Sequence, residues 1–509
     1  KIDRNKLMQP PIITNVSDAV APGDAFNIYG DGFDPNNTSV KIEKVINDKK
    51  TAEPGPSSVE LKAVFGDDRG NYISAVMPKE FESGAYMAWV RNEYGWSKPY
   101  YINKARTQWI STGQTAAGCD VYVTGRNFDR AEFGGETATK VYIKGDNGTF
   151  DVNCNKVTPF YVLFTLNESV PDGSYKVYVS NDGILYEEQS SEQVLEVKRK
   201  TYDPYGLGVS WVDQFNWNNI VNVKDFGATG NGTDDDGAAI NAAIDSIWMD
   251  GGVVYFPEGT YITEQVLVPG HVVLAGDGMD KTKILYKPDK SKTQAEIKSK
   301  NFISSDYNRC GEEGRQGLVN LTLDYSRDEN GNSYHPSLLP GQFVWLGGTW
   351  NTRDVPKRTA SYIFMKGVRF GSHSMDYYNE SEEHMAEYAQ MQTRTYVLAD
   401  KYVLCEDNIF EMDGGAYTGY YNGYIQCRNN KSNVLAGSFY NHAMYCVYDN
   451  NELQNLEWQY GKTVRVSRQG IYYKTHTLVT NNKVTNSASW TNDGEVFATE
   501  AYQSGNSII

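Results

Sequence analysis

Hydrophobic and polar positions alternate along most of this chain, in short runs separated by Gly, Asn, Asp and Pro. A period of two is the pattern of strands with one buried face. One segment breaks it. After Asp236 the apolar residues Ile240, Ala243, Ile244 and Ile247 fall at i, i+3, i+4 and i+7, which predicts one amphipathic helix. Gly251-Gly252 stops the helix, and alternation resumes with Val253 and Tyr255. A mainly β protein with one helix near its middle is therefore expected.

The alternating runs of the first 200 residues are duplicated. "GDAFNIYGDGFD" begins at Gly23 and "GCDVYVTGRNFD" at Gly118, 95 residues on; "GAYMAWVRN" begins at Gly84 and "GSYKVYVSN" at Gly173, 89 residues on. Two features at nearly one offset mean two copies of one unit. Runs such as Phe26-Ile28 and Tyr86-Ala88-Val90 read as strands, so each unit is predicted to be a small β-sandwich, over 1–105 and 106–200. Both copies resemble the immunoglobulin-like IPT/TIG family, whose signature is a glycine, a strand, then G-x-x-F. Cys119 and Cys154 lie in the second copy, and either a disulfide or two unpaired thiols fits the sequence. Residues 201–220, with "TYDPYGLGVSWVDQFNW", read as an aromatic linker whose Pro and Gly argue against a helix.

Three aspartates, Asp234, Asp235 and Asp236, precede the predicted helix. Thr233 or Asp234 can accept from its first free N–H groups, and the other carboxylates complement the positive end of its dipole. A helix start accounts for all three, against the alternative of a catalytic cluster. The surrounding segment runs through Asp225-Phe226-Gly227-Ala228, Gly230, Gly232, Asp234-Asp235, Ala239-Ile240, Gly251-Gly252, Phe256-Pro257 and Gly259-Thr260-Tyr261. It resembles the opening of the pectate-lyase-superfamily right-handed parallel β-helix. The resemblance implies that the helix caps the first coil and that residues 221–509 form a catalytic solenoid.

The later sequence has a solenoid's period. "VLCEDNIFEMD", "IQCRNNKSNVL", "CVYDNNELQNL" and "LVTNNKVTNSA" align on Asn408, Asn430, Asn451 and Asn482, at spacings of 22, 21 and 31 residues. One coil of a little over 20 residues, with insertions looping out on one face, fits this spacing. Asparagines stacked at one turn can hydrogen-bond up the stack. Cys405 and Cys427 hold one place in two coils and are expected to be stacked buried thiols. With Phe410, Leu453 and Val484 facing in, Lys431, Glu452 and Lys483 form one outward row, and Glu411, Asn433, Gln454 and Thr485 the next.

Composition narrows the function. The formal charge is −16, which argues against nucleic acid and anionic membranes. No run approaches a membrane span, and the opening KIDRNKL has no apolar signal region, so the chain is read as cytosolic or already processed. The terminal "GNSII" is strand-like and uncapped, leaving room for further coils. Six Cys are too few for a disulfide scaffold, and neither CxxC nor HExxH occurs. No metal site or cofactor is required; Ca2+ has no support. The 37 Tyr and 10 Trp fit either half-buried strands or rings displayed to sugars.

Two late clusters carry candidate chemistry. In "SWTNDGEVFATE", Asp493 and Glu495 are at i and i+2, hence on one strand face, beside Trp490. Paired carboxylates suit glycoside hydrolysis, with Glu452 and Glu411 as further candidate catalytic acids. Asp-Gly is equally a hairpin turn. The second cluster, "KTVRVSRQGIYYKTH", carries Arg465, Arg468, Tyr473, Lys474 and His476, suited to binding an acidic glycan or to a lyase that abstracts the C5 proton of a uronate. A solvated basic loop is the plain alternative. Trp458 and Trp490 are candidate sugar platforms. The polygalacturonase sets N-T-D, D-D, G-H-G and R-I-K and the Asp and Arg patterns of calcium-dependent pectate lyases are not found, so the resemblance transfers the fold and not the catalytic residues. The leading expectation is a secreted or cell-surface bacterial glycoside hydrolase, monomeric or a β-helix oligomer, cutting an acidic polysaccharide. A polysaccharide lyase and a non-catalytic tailspike-like glycan binder are the competing readings.

Overall fold

The computed structural model describes residues 8–34, 36–65, 69–129, 139–200, 202–310, 314–348, 361–371, 401–411, 423–431, 444–452 and 476–483 with their side chains, and 395–398, 416–420, 432–434, 439–442, 453–455, 464–466, 484–486, 497–498, 502–504 and 507–508 as backbone strands. Two compact units, Lys1–Arg199 and Lys200–Ile509, make up the chain. No described helix is long and apolar enough to cross a membrane.

In the first unit the duplicated sequence becomes duplicated topology. Strands Ile12–Val16, Ala25–Asp31, Tyr72–Val76 and Val64–Phe65 form one antiparallel sheet in the order 1-2-4-3, and Arg106–Ile110, Asp120–Arg126, Tyr161–Thr165 and Cys154–Val157 repeat that order in the second copy. Each copy has a second sheet, centred on Tyr86–Asn92 or Gly173–Ser180, and its own apolar core. The repeated G-x-x-F has a steric cause. A Cβ on Gly30 would lie 1.9 Å from the Ile12 carbonyl oxygen and 2.7 Å from the Phe33 ring; on Gly125 the distances to Arg106 and Phe128 would be 2.0 and 2.4 Å. Each phenylalanine folds back over its own glycine, so no other residue fits. Cys119 is buried, Cys154 is half-buried, and both are free thiols.

In the second unit every strand pairing among the described residues is parallel and joins one coil to the next, which makes a parallel β-helix. A coil crosses three faces in turn. Gly252–Phe256, Gly259–Thr263 and Val266–Val268 are the first such set, and Val272–Gly276 returns to the first face above Gly252–Phe256. Inward residues such as Val254, Phe256, Tyr261, Val266, Leu274 and Ile284 form one continuous core. The helix Gly237–Ile247 buries Ile240, Ala243, Ile244 and Ile247 in that core, as its spacing predicts.

The three aspartates act in the structure around that helix, but not in the expected order. Asp234 and Asp235 belong to the strand Asn231–Asp235, and the helix starts at Gly237. Asp236 sits at the N-cap without making a side-chain cap bond. Its buried carboxylate instead accepts from Thr229 N (2.6 Å), Thr229 Oγ1 (3.1 Å), Gly230 N (3.3 Å) and Ile262 N (3.4 Å). Asp235 Oδ1 accepts from Gly237 N at 2.9 Å, and Asp234 holds Asn231 at 2.7 Å. All three are occupied in joining turn, strand and helix.

The aromatic segment after Lys200 is not a spacer. Ser210–Gln214 is a short 3-10 turn, and Leu207, Val209, Trp211, Val212, Phe215 and Trp217 cover the outer side of the first face, over Val253, Val273, Ala275, Val319, Phe364 and Leu404. Its glycines permit the bends, and its rings bury a sheet surface that would otherwise be wet and apolar.

Candidate functional site

The corner between the first and second faces organises the late coils. Asn320, Gly367, Asp407, Asn429, Asn450 and Asn481 occupy it in register, each with φ between 55° and 63°. Asn and Asp tolerate this left-handed turn better than other non-glycine residues. The next residue is Asn408, Asn430, Asn451 or Asn482, all fully buried and bonded side chain to side chain at 2.8–3.0 Å, as expected from their alignment. Cys405 and Cys427 are buried and in register, with Cys446 buried near them; burial, then the contact with Cys405, pushes the Cys427 thiol well up.

On the outer side of the first face, Lys366, Glu406, Arg428 and Asp449 stand in register. Lys366 lies 2.5 Å from Glu406 and 3.1 Å from Asp407, and Arg428 lies 2.9 Å from Glu406. Glu406 and Arg428 are buried. Burial by itself lowers the Lys366 pKa, but the two carboxylates outweigh it and hold the ammonium above its usual value. Within this ladder both cations converge on Glu406, whose buried charge is thereby compensated. Beside it runs a column of stacked rings, Tyr362, Tyr402, Tyr424, Tyr445 and His476, with centroids 4.9–5.5 Å apart.

On the second face the expected row Lys431, Glu452 and Lys483 follows the strand register, and below Lys431 the same row continues through Ile409 to Arg369. Glu452 lies 3.7 Å from Lys431, and both are about 60% exposed (60% and 63%). Glu411 lies 3.9 Å from Arg369. The two carboxylates are two rungs and two strand positions apart, roughly 12 Å between their backbones, and each is turned to its own cation. They are not brought together as an acid–base pair.

The third face has a different chemistry. Val266, Ile303 and Val344 on one side of it, and Val268 and Leu346 two residues on, are buried in the core. At the position between them, register runs Leu267, Ser304, Trp345, Tyr396, Tyr417, Tyr440, Arg465. Trp345 is half-buried and donates from Nε1 to Gly348 O at 3.0 Å. The strand Phe439–His442 also brings His442 to this face, level with Tyr420.

Arg465 and His476 therefore do not share a face: Arg465 is on the third, in Val464–Val466, and His476 ends the ring column on the first. Asp493, Glu495, Trp490, Trp458, Arg468, Tyr473 and Lys474 lie outside the described residues. The row Tyr396, Tyr417, Tyr440 was legible as aromatics recurring at 21 and 23 residues, near the coil period. Among the described residues no three His, Cys, Asp or Glu side chains group closely enough to hold a metal.

Residues 220–335 match the family described as rhamnogalacturonase A/epimerase, pectate lyase-like. The match spans the capping helix and first coils and ends before the Trp345–Arg465 row. Mannuronan C5-epimerase AlgE4 of Azotobacter vinelandii is 35% identical over 165 residues, 30% of this chain and 27% of that protein. Alginate lyase 7 of the same organism is 33% identical over 135 residues, 24% of this chain and 15% of that protein. The chain thus spans about a quarter or less of the length of these relatives. Among solved structures, the Yersinia enterocolitica family 28 exopolygalacturonase is 11% identical, with a TM-score of 0.35, covering 79% of this chain and 80% of that one.

Proposed function

We propose that this chain is a polysaccharide-modifying enzyme, secreted or surface-held, whose substrate is a uronate-containing glycan lying along the third face of the β-helix. The two N-terminal copies, 1–105 and 106–200, are read as IPT/TIG-like modules, and the β-helix as right-handed. The observation that carries the reading is the single register row of Trp345, Tyr396, Tyr417, Tyr440 and Arg465. Rings repeating at every rung suit a sugar chain, because each offers an apolar body with a polar tip. A guanidinium suits a uronate carboxylate, which it engages with two parallel N–H donors.

Those residue types favour chemistry at C5 over hydrolysis. Pairing the carboxylate with Arg465 stabilises the negative charge that develops when the C5 proton leaves. Tyr417, Tyr440 and His442 are the acid–base candidates for removing it. Expulsion of the 4-linked oxygen then gives a lyase; return of a proton to the opposite side gives an epimerase. The mannuronan epimerases and alginate lyase similar to this chain agree with that choice. Hydrolysis by Asp493 and Glu495 is the second reading, with Glu411 and Glu452 less favoured because each faces a cation.

Product analysis decides. Alginate and polygalacturonate are incubated with the protein in D2O and followed by ultraviolet absorbance and NMR. Unsaturated ends or deuterium at C5, lost in Tyr417→Phe and Arg465→Ala, are expected. New saturated reducing ends alone overturn the reading in favour of a hydrolase. No change in either glycan, with binding retained, overturns it in favour of a binding protein.

A further inference from the structure

The outer sheet face of the second N-terminal copy carries a feature that the β-helix reading does not use. Four residues cross this sheet in one register row: Glu188, Tyr178, Tyr142 and Asp151. The two rings are stacked, with centroids 4.7 Å apart and planes 17° from parallel, and Tyr186 leans on Tyr142, also at 4.7 Å. All three tyrosines are half-buried, so part of each ring reaches solvent, while Glu188 and Asp151 at the two ends are exposed. Tyr178 donates to Glu188 at 2.7 Å. Burial first, then that bond, pushes the Tyr178 hydroxyl up to about 12. Tyr142 and Tyr186 are raised too, by burial and then by nearby charge, Glu188 for Tyr142 and chiefly Asp151 for Tyr186. The hydroxyls keep their protons and remain donors at neutral pH.

The first copy shows what this position looks like when protein covers it. There the strand equivalent to Gly173–Ser180 is Tyr86–Asn92, and Lys41 pairs with Trp89 as Tyr142 pairs with Tyr178. Trp89 is fully buried among Met87, Tyr101 and Leu185, the last from the second copy. A residue without a hydroxyl, under an apolar lid, serves module packing. In the second copy the same position is polar-tipped and rimmed by carboxylates, which suits a ligand made of hydroxyl groups.

We propose that Tyr142, Tyr178 and Tyr186 form a binding platform for a neutral polysaccharide, with Glu188 and Asp151 accepting hydrogen bonds from its hydroxyls. Sugar rings stack on tyrosine through their apolar C–H faces. Glu188, Asp151 and Asp182 surround the platform against Lys140 and Lys144 on neighbouring positions, while Lys176 is turned away to the carbonyls of Ser191 (3.3 Å) and Gln193 (2.5 Å). No guanidinium faces the rings among these residues, and a polyuronate would set its carboxylates against Glu188 and Asp151. The platform is independent of the chemistry assigned to the β-helix. It would hold the enzyme on a neutral matrix component while another glycan is processed.

Affinity electrophoresis of the full chain tests this, in gels containing hydroxyethylcellulose, galactomannan or a soluble β-1,3-glucan, with alginate as the acidic control. At least one neutral glycan should retard the protein, and Tyr142→Ala/Tyr178→Ala should weaken that binding about tenfold or more. Should that variant fold poorly, Asp151→Ala/Glu188→Ala changes only exposed residues and should weaken binding several-fold. Glycan processing by the β-helix should stay at the wild-type rate in both. Absence of retardation by all three neutral glycans overturns the proposal, as does unchanged retardation in both variants. A dimer in sedimentation that the tyrosine variant dissolves would overturn it in favour of a second copy as the occupant.

Discussion

Asn430 Oδ1 accepts from both the backbone N–H (3.1 Å) and the side-chain amide (3.0 Å) of Asn408, one coil below. Asn430 in turn donates to Cys405 O at 3.0 Å and to Asn451 Oδ1 at 2.9 Å. The ladder begins where the preceding coil offers no amide side chain: Val368 holds that place, and its N–H is taken by Asn408 at 3.0 Å. Each asparagine side chain thus supplies the hydrogen bonds that the left-handed corner denies to the backbone of the coil below it.

Replacing Asn430 with Ala should therefore be costly. It leaves several buried polar groups unpaired at once, and a loss of about 3 kcal/mol or more is expected in chemical denaturation of the β-helix unit. Asn430→Leu should be no better, because the orphaned groups lie on neighbouring coils. A loss below about 1 kcal/mol would mean that water replaces the ladder.

Asp236 should matter more than Asp234. Asp236→Ala removes four acceptor contacts from a buried site and should lower stability by about 2 kcal/mol or more, whereas Asp234→Asn should cost less than about 1 kcal/mol. Thermal melts measure both. Turnover per folded molecule should be unchanged; its disappearance in a stable Asp234 or Asp235 variant would return the cluster to catalysis.

Lys298 gives a pH signature. Burial pushes its ammonium down to about 8, below the unfolded lysine value. The unfolded chain then binds more protons than the folded one above pH 8, so stability rises with pH as the folded lysine loses its proton. Below pH 8 both states are protonated and the burial penalty is fully present. Lys298→Met should be stabilising at pH 7, with an advantage that shrinks toward pH 10 in paired denaturation curves. A constant advantage would show that Lys298 reaches water freely.

Glu452→Gln should be nearly silent. Its partner Lys431 is exposed, and such pairs contribute about 0.5 kcal/mol or less. Turnover should also stay near normal, because the proposed chemistry is on another face. Abolished turnover with intact binding would restore the paired-carboxylate mechanism.

Whatever repeats locally was legible in the sequence. Alternation marked the strands, the i, i+3, i+4, i+7 spacing marked the helix of Ile240 and Ile244, and the recurring Asn408, Asn430, Asn451 and Asn482 marked one corner of successive coils. Glycine before phenylalanine marked both N-terminal copies, since Gly30 and Gly125 each lie under their own ring. These features follow from backbone geometry within a few residues. Which face a strand joins does not. Arg465 and His476 are eleven residues apart and fall on different sheets, because a period of two gives the side of a strand but not its partner. The burial of Glu406 with Arg428, and of Trp89 where its counterpart Tyr178 stays open, depends equally on surfaces contributed from elsewhere in the chain. Alternation within a strand is set by the chain's own stereochemistry, whereas the cover over an outward residue comes only from long-range packing.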